Sequence, residues 1–298
     1  MGPESLEGIC EIERFAGPDE ASAAPPGLLI EVPHGATRGR HFDETRRRLV
    51  GDYADELKEF FYVNTDVGSI EVARHVARWV AGETGVLVVR GLIPRTFVDC
   101  NRVLESGPSD EVREGVTPGM PGYVSRPEDV RTLTRMHAEY QAVAREAYET
   151  VCGNGGGALV LHTYAPRSVE IDRVDDGIVA ALHRAYEPGT YEKWTRRPDV
   201  DVISEDTEGE RLAPPDLVQR VREEYAEAGI TIGENQTYRL FPGTMGYVQS
   251  KRYPEGVICI EISRALLVEK FRPFEEMRVD DAKARRMAEP LAAALLDG

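Results

Sequence analysis

Hydrophobic residues along this chain occur either in short continuous runs or in longer stretches with helical spacing. The continuous runs lie at 28–32, 85–89, 158–161 and 256–263, and they are typical of buried strands. Shorter strands are expected at 9–12, 199–204 and 230–232. Helical spacing predicts helices over 42–61, 70–81, 128–151, 178–186, 214–228 and 280–296. Strands joined by helices in this order predict an α/β sheet.

The segments between these elements are polar and rich in Gly and Pro. Residues 1–27 are expected to form a loose lead-in segment, and residues 28–298 a single α/β domain. Residues 104–126 form a long loop of the kind that often closes over a site, and 241–247 form a second Gly-rich loop. The Gly-rich stretch 152–157 lacks the Gly-Lys-Ser/Thr ending of a phosphate loop and precedes a strand.

Composition narrows the class of protein. The chain has 298 residues, of which 41% are hydrophobic, and this is enough for one large core. No apolar run approaches the roughly 20 residues that a membrane span needs, and the first residues are acidic, unlike a signal peptide. We therefore expect a cytoplasmic protein without a membrane partner. The four cysteines are widely spaced and form no CxxC pair, so neither a disulfide framework nor a thiolate zinc site is indicated.

Charge narrows the class of ligand. The formal net charge is −16, which repels nucleic acid over most of the surface. We therefore expect a small-molecule ligand and no nucleic acid. A few arginines facing a pocket could still bind a carboxylate. The sequence does not specify an oligomeric state.

Two histidines follow two of the predicted strands. His34 comes after the run 28–32, and His162 comes directly after 158–161. In open α/β sheets the carboxyl ends of parallel strands meet at one edge, where ligands bind. Two imidazoles, one carboxylate and an open position describe a hydrolytic zinc site. Asp66 is the preferred carboxylate, although spacing alone leaves Glu31 and Asp99 open.

Each of these residues also has a simpler interpretation. His34 alone is more often a turn histidine that the backbone satisfies. Either Asp66 or Ser69 could cap the predicted helix at 70–81. Glu261 differs, because a carboxylate inside the apolar strand 256–263 is costly unless it is paired, protonated or functional. This favours a functional role for Glu261.

The segment 95–102 supplies a candidate anion site. It alternates like a strand at first and then ends in Asp99, Asn101 and Arg102. A planar guanidinium beside an amide suits the bidentate capture of a carboxylate. A surface Asn-Arg turn is the commoner explanation of such a pair taken alone.

Taken together, these motifs resemble the N-formylglutamate amidohydrolase family, a group of zinc hydrolases. The resemblance covers about residues 28–267 and depends on the order and spacing of several motifs: Pro33-His34-Gly35, Thr65-Asp66, Arg95 with 98–102, the His162 loop, 235–247 and Ile260-Glu261-Ile262. It implies a three-layer α/β fold in which helices flank a central mixed, mostly parallel sheet, as in the zinc carboxypeptidases.

The resemblance also implies roles for individual residues. Zn²⁺ would be held by His34, Asp66 and His162, and Glu261 would be the general base and acid. Substrate contacts are expected from the following residues: Asn101 and Arg102 on a carboxylate, with Arg95 in support, and Arg167 and Tyr247 from the two later loops. Family members usually carry Asp two residues before the second histidine and Ser just after it. Val160 and Thr163 stand there in this chain, so the partner that orients His162 is not identified.

The expected function is zinc-dependent hydrolysis of an N-acyl, N-formyl-type amide of a carboxylate-bearing amino acid, or of a peptide-like amide. One alternative is a metal-free small-molecule binding protein on the same fold. Another is an enzyme that uses Cys100 or Cys152 with a histidine, although neither cysteine has a recognisable nucleophile context.

Overall fold

The computed structural model of the chain describes residues 2–18, 24–104, 107–112 and 116–296. Within these residues a single seven-stranded sheet has the strand order β1-β3-β2-β4-β7-β5-β6. The strands are β1 (Cys10–Phe15), β2 (Leu28–Val32), β3 (Val86–Gly91), β4 (Gly157–Tyr164), β5 (Val200–Ile203), β6 (Ile232–Glu234) and β7 (Val257–Ser263).

The helices lie on both faces of this sheet. They are α1 (Gly39–Arg46), α2 (Leu57–Asn64), α3 (Ser69–Val80), α4 (Pro127–Val151), α5 (Ile178–Tyr186), α6 (Pro188–Tyr191), α7 (Pro215–Glu227), α8 (Met245–Arg252) and α9 (Asp281–Leu296). None of the helices in the described ranges combines the length and the apolar character that crossing a membrane requires.

The four central strands are parallel and the sheet is mixed at its sides. Strands β3, β2, β4 and β7 run parallel to one another. The edge strand β1 pairs antiparallel with β3. On the other side, β5 pairs antiparallel with β7, and β6 pairs parallel with β5. The expected α/β architecture, with helices on a mixed, mostly parallel sheet, is therefore confirmed.

Alternation along the strands explains the three layers. In β2, Leu28, Ile30 and Val32 face one core, which contains apolar residues of α3, α7 and α9. Leu29 faces the other core, to which α1, α2, α4 and α5 contribute. Because helices cover both faces, the central strands read as continuous apolar runs.

The sequence missed a break between α1 and α2. Helical spacing predicts one helix over 42–61, but residues 47–56 are not helical. The backbone amides of Val50 and Gly51 both donate to the buried carboxylate of Asp129 on α4, at 2.8 Å each. This tertiary contact takes donors that a continuous helix would use.

Three other local expectations are wrong. Residues 95–102 form turns rather than a strand, with Phe97 N donating to Pro94 O and Arg102 N to Asp99 O. The loop 241–247 ends early, because Thr244 caps α8 and Tyr247 lies in its first turn.

The expected cap of α3 is the third wrong expectation, because neither the side chain of Asp66 nor that of Ser69 caps this helix. Its cap is Gly68, where a positive φ of 92° and a Cβ position 2.7 Å from Leu267 leave room only for glycine.

The segment before residue 28 also contributes to the sheet. The short strand expected at 9–12 is present as Cys10–Phe15, and its six residues pair with β3. It forms an edge of the sheet, where antiparallel pairing does not require a helical crossover.

Candidate metal centre

The candidate site lies at the carboxyl ends of the central parallel strands. His34 follows β2 by two residues, and His162 lies within β4 in register with Glu261 of β7. The sequence placed His162 after its strand, but β4 continues to Tyr164. Asp66 comes from the connection between α2 and α3. The four side chains therefore reach one point from four separated segments.

The two imidazoles and the carboxylate of Asp66 converge. Asp66 Oδ2 lies 3.2 Å from His34 Nδ1 and 2.9 Å from His162 Nδ1. Each of the three residues offers a ligand atom within 4.8 Å of the other two, and all three are buried. Two nitrogens and one oxygen with an open position form the donor set of a hydrolytic zinc site. The residues present therefore fit this metal.

Asp99 orients His34 from the opposite side of the ring. Its Oδ1 lies 2.7 Å from His34 Nε2, which leaves Nδ1 directed at Asp66. The other oxygen accepts from Arg95 Nη2 at 3.0 Å and lies 3.6 Å from Arg102 Nη2. A carboxylate on the second nitrogen of a histidine is the usual support for a metal ligand, because it fixes the tautomer and the ring orientation.

Glu31 has partners of its own below the site. Its two oxygens accept hydrogen bonds from Tyr140 and Tyr148, each at 2.8 Å. Burial raises the pKa of Glu31, although both tyrosines lower it. Of the three carboxylates that the sequence left open, only Asp66 is in contact with both histidines.

Asn101 supplies the partner of His162 that the sequence did not reveal. Its Nδ2 lies 3.2 Å from His162 Nε2, and its Oδ1 accepts from the backbone amide of Gly246 at 3.2 Å. Val160, at the position where family members carry Asp, packs in the apolar core instead. Asn101 therefore contacts His162, a candidate metal ligand, and also lines the cavity.

The electrostatics of the cluster separate its three acids. Burial opposes ionisation of Asp66, but the charges and hydrogen bonds of the two histidines hold its pKa well below the usual range. The pKa of Asp99 is likewise held low, because Arg102 and Arg95 outweigh its burial. Glu261 is different. Burial raises its pKa to about 7 against the positive influence of His162, and its Oε2 makes no hydrogen bond within the described residues.

This difference predicts how stability depends on pH. The pKa of Glu261 rises from 4.5 to about 7 on folding, so the folded chain binds more protons than the unfolded chain between these values. The contribution of Glu261 to the free energy of unfolding therefore falls as pH rises through this window. The free energy of unfolding of metal-free Glu261→Gln, relative to that of the metal-free wild type, is expected to increase by ~1–3 kcal/mol when the pH is raised from 4 to 8. Urea unfolding of both proteins at pH 4 and at pH 8 measures this change. A difference between variant and wild type that is the same at both pH values would contradict the prediction.

The predicted substrate residues divide into two groups. Arg95, Asn101, Arg102 and Arg167 line a cavity of about 630 Å³ above the metal centre. Arg102 is already engaged, because its Nε donates to Thr117 O at 3.1 Å and its Nη1 to Asn101 O at 3.0 Å. Arg167 Nη1 donates to Trp194 O at 2.6 Å. Tyr247 is not among the described residues that line the cavity.

The sequence missed other lining residues, among them Arg197, Tyr238 and Arg264. Arg264 directly follows β7, three residues after Glu261, so its place at the carboxyl end of a strand was a usable signal. Arg197 had no such signal. It precedes β5, and only the antiparallel pairing of β5 with β7 brings this segment to the site.

Comparisons with known proteins bear on the family and the fold of this chain. A model of the N-formylglutamate amidohydrolase family matches residues 27–268. An N-formylglutamate amidohydrolase from Ralstonia eutropha JMP134 is 18% identical, with a TM-score of 0.57 over 100% of this chain and 97% of that chain. A gene product from Agrobacterium tumefaciens is 16% identical, with a TM-score of 0.56 over 97% of this chain and 94% of that one.

A metallo-carboxypeptidase from Burkholderia cenocepacia also matches, at 11% identity and a TM-score of 0.41, over 96% of this chain and 60% of that chain. A search of the curated proteins finds no match. The two higher-scoring structures share the fold of this chain, and the family model spans most of its length. The chain belongs to the N-formylglutamate amidohydrolase family.

Proposed function

We propose that this chain is a zinc-dependent amidohydrolase that cleaves an N-acyl, N-formyl-type amide of a carboxylate-bearing amino acid, or a peptide-like amide. Family membership supports the amidohydrolase reaction. The observation that carries the zinc dependence is the convergence of His34 Nδ1, His162 Nδ1 and Asp66 Oδ2 beside Glu261.

His34, Asp66 and His162 would hold the metal, and Asp99 would keep the His34 ring in place. When bound, zinc would polarise the amide carbonyl and lower the pKa of a water molecule to about 7. The burial of the three ligands suits this role, because electrostatic interactions are stronger where water is excluded.

Glu261 would move the proton. Its Oε2 has no hydrogen-bond partner within the described residues, and its pKa of about 7 suits both accepting and returning a proton near neutral pH. It would accept a proton from the attacking water and deliver it to the leaving nitrogen as the C–N bond breaks. The products are a carboxylic acid, which is formate for a formyl group, and a free amine.

The cavity arginines would bind the negative charge of the substrate. Arg95 uses one nitrogen on Asp99 and Thr117, and its Nε and Nη1 make no hydrogen bond within the described residues. A guanidinium fixed in this way is preorganised for a carboxylate or for the oxyanion that forms at the amide carbon.

The cysteine alternative loses support from the site itself. Burial raises the pKa of Cys100 well above its usual value, and raises the pKa of Cys152 to about 11. Thiols in such surroundings are poor nucleophiles, because the thiolate is the reactive form. Nothing observed favours the metal-free binding protein over the enzyme.

The test combines metal analysis with product release. Protein purified without added metal is measured for zinc by elemental analysis, and formate release is followed with N-formyl-L-glutamate and N-formyl-L-alanine. We expect one zinc per chain, loss of formate release on chelation, and recovery on adding zinc. Full activity in zinc-free protein would contradict the proposal. Ligand binding without zinc or hydrolysis would favour the metal-free binding protein.

A further inference from the structure

One wall of the cavity above the metal centre is apolar. Two helices and two loops contribute its side chains, which are those of Phe60, Val112, Ile171, Val174, Ile178 and Leu182. The four from α2, α5 and residue 174 belong to one apolar core. Val112 and Ile171 pack against the same core and are half-buried. These six residues, called the apolar wall below, therefore form one surface rather than separate patches around the cavity.

Contacts behind the apolar wall hold its segments together. Helices α2 and α5 are joined by a hydrogen bond between the side chains of Glu59 and His183. The two loops are joined at Asp110. Its backbone oxygen accepts from the amide of Val174 at 2.9 Å, and its carboxylate accepts from Arg173 Nη2 at 2.8 Å. The apolar wall is therefore a preorganised part of the cavity, which lowers the entropic cost of binding a ligand group there.

Negative charge lies at the rim of the apolar wall. Glu170 and Asp172 alternate with Ile171 along one segment, and both line the cavity although they are exposed. Arg167 lies at the start of this segment and donates from Nη1 to Trp194 O at 2.6 Å. A carboxylate placed against the wall would lose its hydration to apolar side chains and would meet two acidic groups at the rim. The wall therefore favours a neutral apolar group over the side-chain carboxylate of a glutamate.

The size of the cavity gives a second argument. Its volume of about 630 Å³ lies in the range of pockets that enclose drug-sized ligands. A formyl group and a glutamate together are much smaller than such a ligand. Water has few hydrogen-bond partners beside apolar side chains, so a ligand group that displaces it from the wall gains affinity.

We propose that the apolar wall is a subsite for a bulky apolar group of the substrate, of the size of a hexyl chain or a phenyl ring. This group belongs either to the acyl chain that is cleaved off or to the side chain of the amino acid. The inference rests on the proposed function, because it assumes that the cavity receives the substrate. It narrows the substrate class to N-acyl amino acids with a bulky apolar group, and it makes Val112 and Ile171 specificity-determining residues.

Direct binding tests this subsite without requiring hydrolysis. N-formyl-L-glutamate is the reference, N-hexanoyl-L-glutamate enlarges the acyl group, and N-formyl-L-phenylalanine replaces the acidic side chain with an apolar one. Each compound is titrated calorimetrically into chelated protein at pH 7. We expect at least one of the two apolar ligands to bind about tenfold more tightly than the reference, or better. Tight binding of the hexanoyl compound alone assigns the wall to the acyl group, and tight binding of the phenylalanine compound alone assigns it to the side chain.

Ile171→Asn and Val112→Asn should remove this preference. Both residues are half-buried and lie outside helices and strands, so the central packing stays intact. Each variant should weaken the preferred apolar ligand about fivefold or more and leave N-formyl-L-glutamate within about twofold. Val179→Asn is the matched control, because Val179 is a half-buried residue of α5 that is not among the described residues lining the cavity. It should change none of the affinities.

Three results would overturn the apolar subsite. They are wild-type binding of N-formyl-L-glutamate as tight as that of both apolar ligands, an unchanged preference in Ile171→Asn and Val112→Asn, and equal weakening of all three ligands in these variants. Release of formate or hexanoate is measured separately on zinc-loaded protein. Absence of hydrolysis with a preserved apolar preference would count against the proposed function alone, and hydrolysis without that preference would count against the subsite alone.

Discussion

Glu261→Gln is expected to lower kcat for formate release by about a thousandfold while one zinc per chain remains bound. General acid–base catalysis contributes ~10²–10⁴-fold, and Gln cannot accept or return the proton. The amide keeps the size of the side chain, so the backbone of β7 and the ligands opposite should not move. His162 is in register with Glu261 but turns its Nδ1 to Asp66, so the metal ligands stay in place.

The control for this variant is Glu255→Gln, an exposed glutamate at the entry to the same strand. It removes the same charge away from the site and should leave kcat within about twofold. Zinc content by elemental analysis and kcat by formate detection are measured on both proteins. Near-normal turnover in Glu261→Gln would remove the base assignment, and loss of zinc would indicate that Glu261 is a ligand instead.

The central sheet could be predicted from sequence because its strands are buried on both faces. The runs at 28–32, 158–161 and 256–263 correspond to β2, β4 and β7, and these are the strands that position the site. An apolar run that empties into a polar residue marks the carboxyl end of such a strand. This pattern indicated His34 and His162 as candidates, and the carboxylate inside the apolar run 256–263 indicated Glu261.

Features that depend on tertiary contacts could not be predicted. The break between α1 and α2 is stabilised by Asp129, which is 78 residues from Gly51. The turns at 95–102 replace a predicted strand because Asp99 meets His34 and Arg95 there. Hydrophobic spacing carries no information about a buried ion pair, so it predicted neither the break between α1 and α2 nor the turns at 95–102.

Pairing direction was a second source of error. Periodicity predicts β5 as a strand but not its antiparallel orientation against β7. That orientation brings the start of β5, and with it Arg197, to the edge where β4 and β7 end. The sequence therefore indicated Arg95 and Arg102 as candidates but not Arg197, which lies on the other side of the site.

Asp66→Asn is expected to weaken zinc binding far more than Asp99→Asn or Glu31→Gln does. Asp66 Oδ2 lies within 3.2 Å of both histidine Nδ1 atoms, so the variant loses a charged ligand at the point where the donors converge. Asp99→Asn should cost only ~10–100-fold in zinc affinity, because Asp99 orients His34 rather than facing the metal position. Glu31→Gln should stay within about twofold, since Tyr140 and Tyr148 occupy its oxygens.

Zinc affinity of the three variants is measured by competition with a chromophoric chelator at pH 7.5, after circular dichroism has shown that each one folds. The expected order of zinc loss, Asp66→Asn, then Asp99→Asn, then Glu31→Gln, follows from where each carboxylate lies relative to the two Nδ1 atoms. A larger loss in Asp99→Asn than in Asp66→Asn would move the metal to the Nε2 side of His34. Because Nε2 of His162 lies against Asn101, that result would also require a different arrangement of the second imidazole.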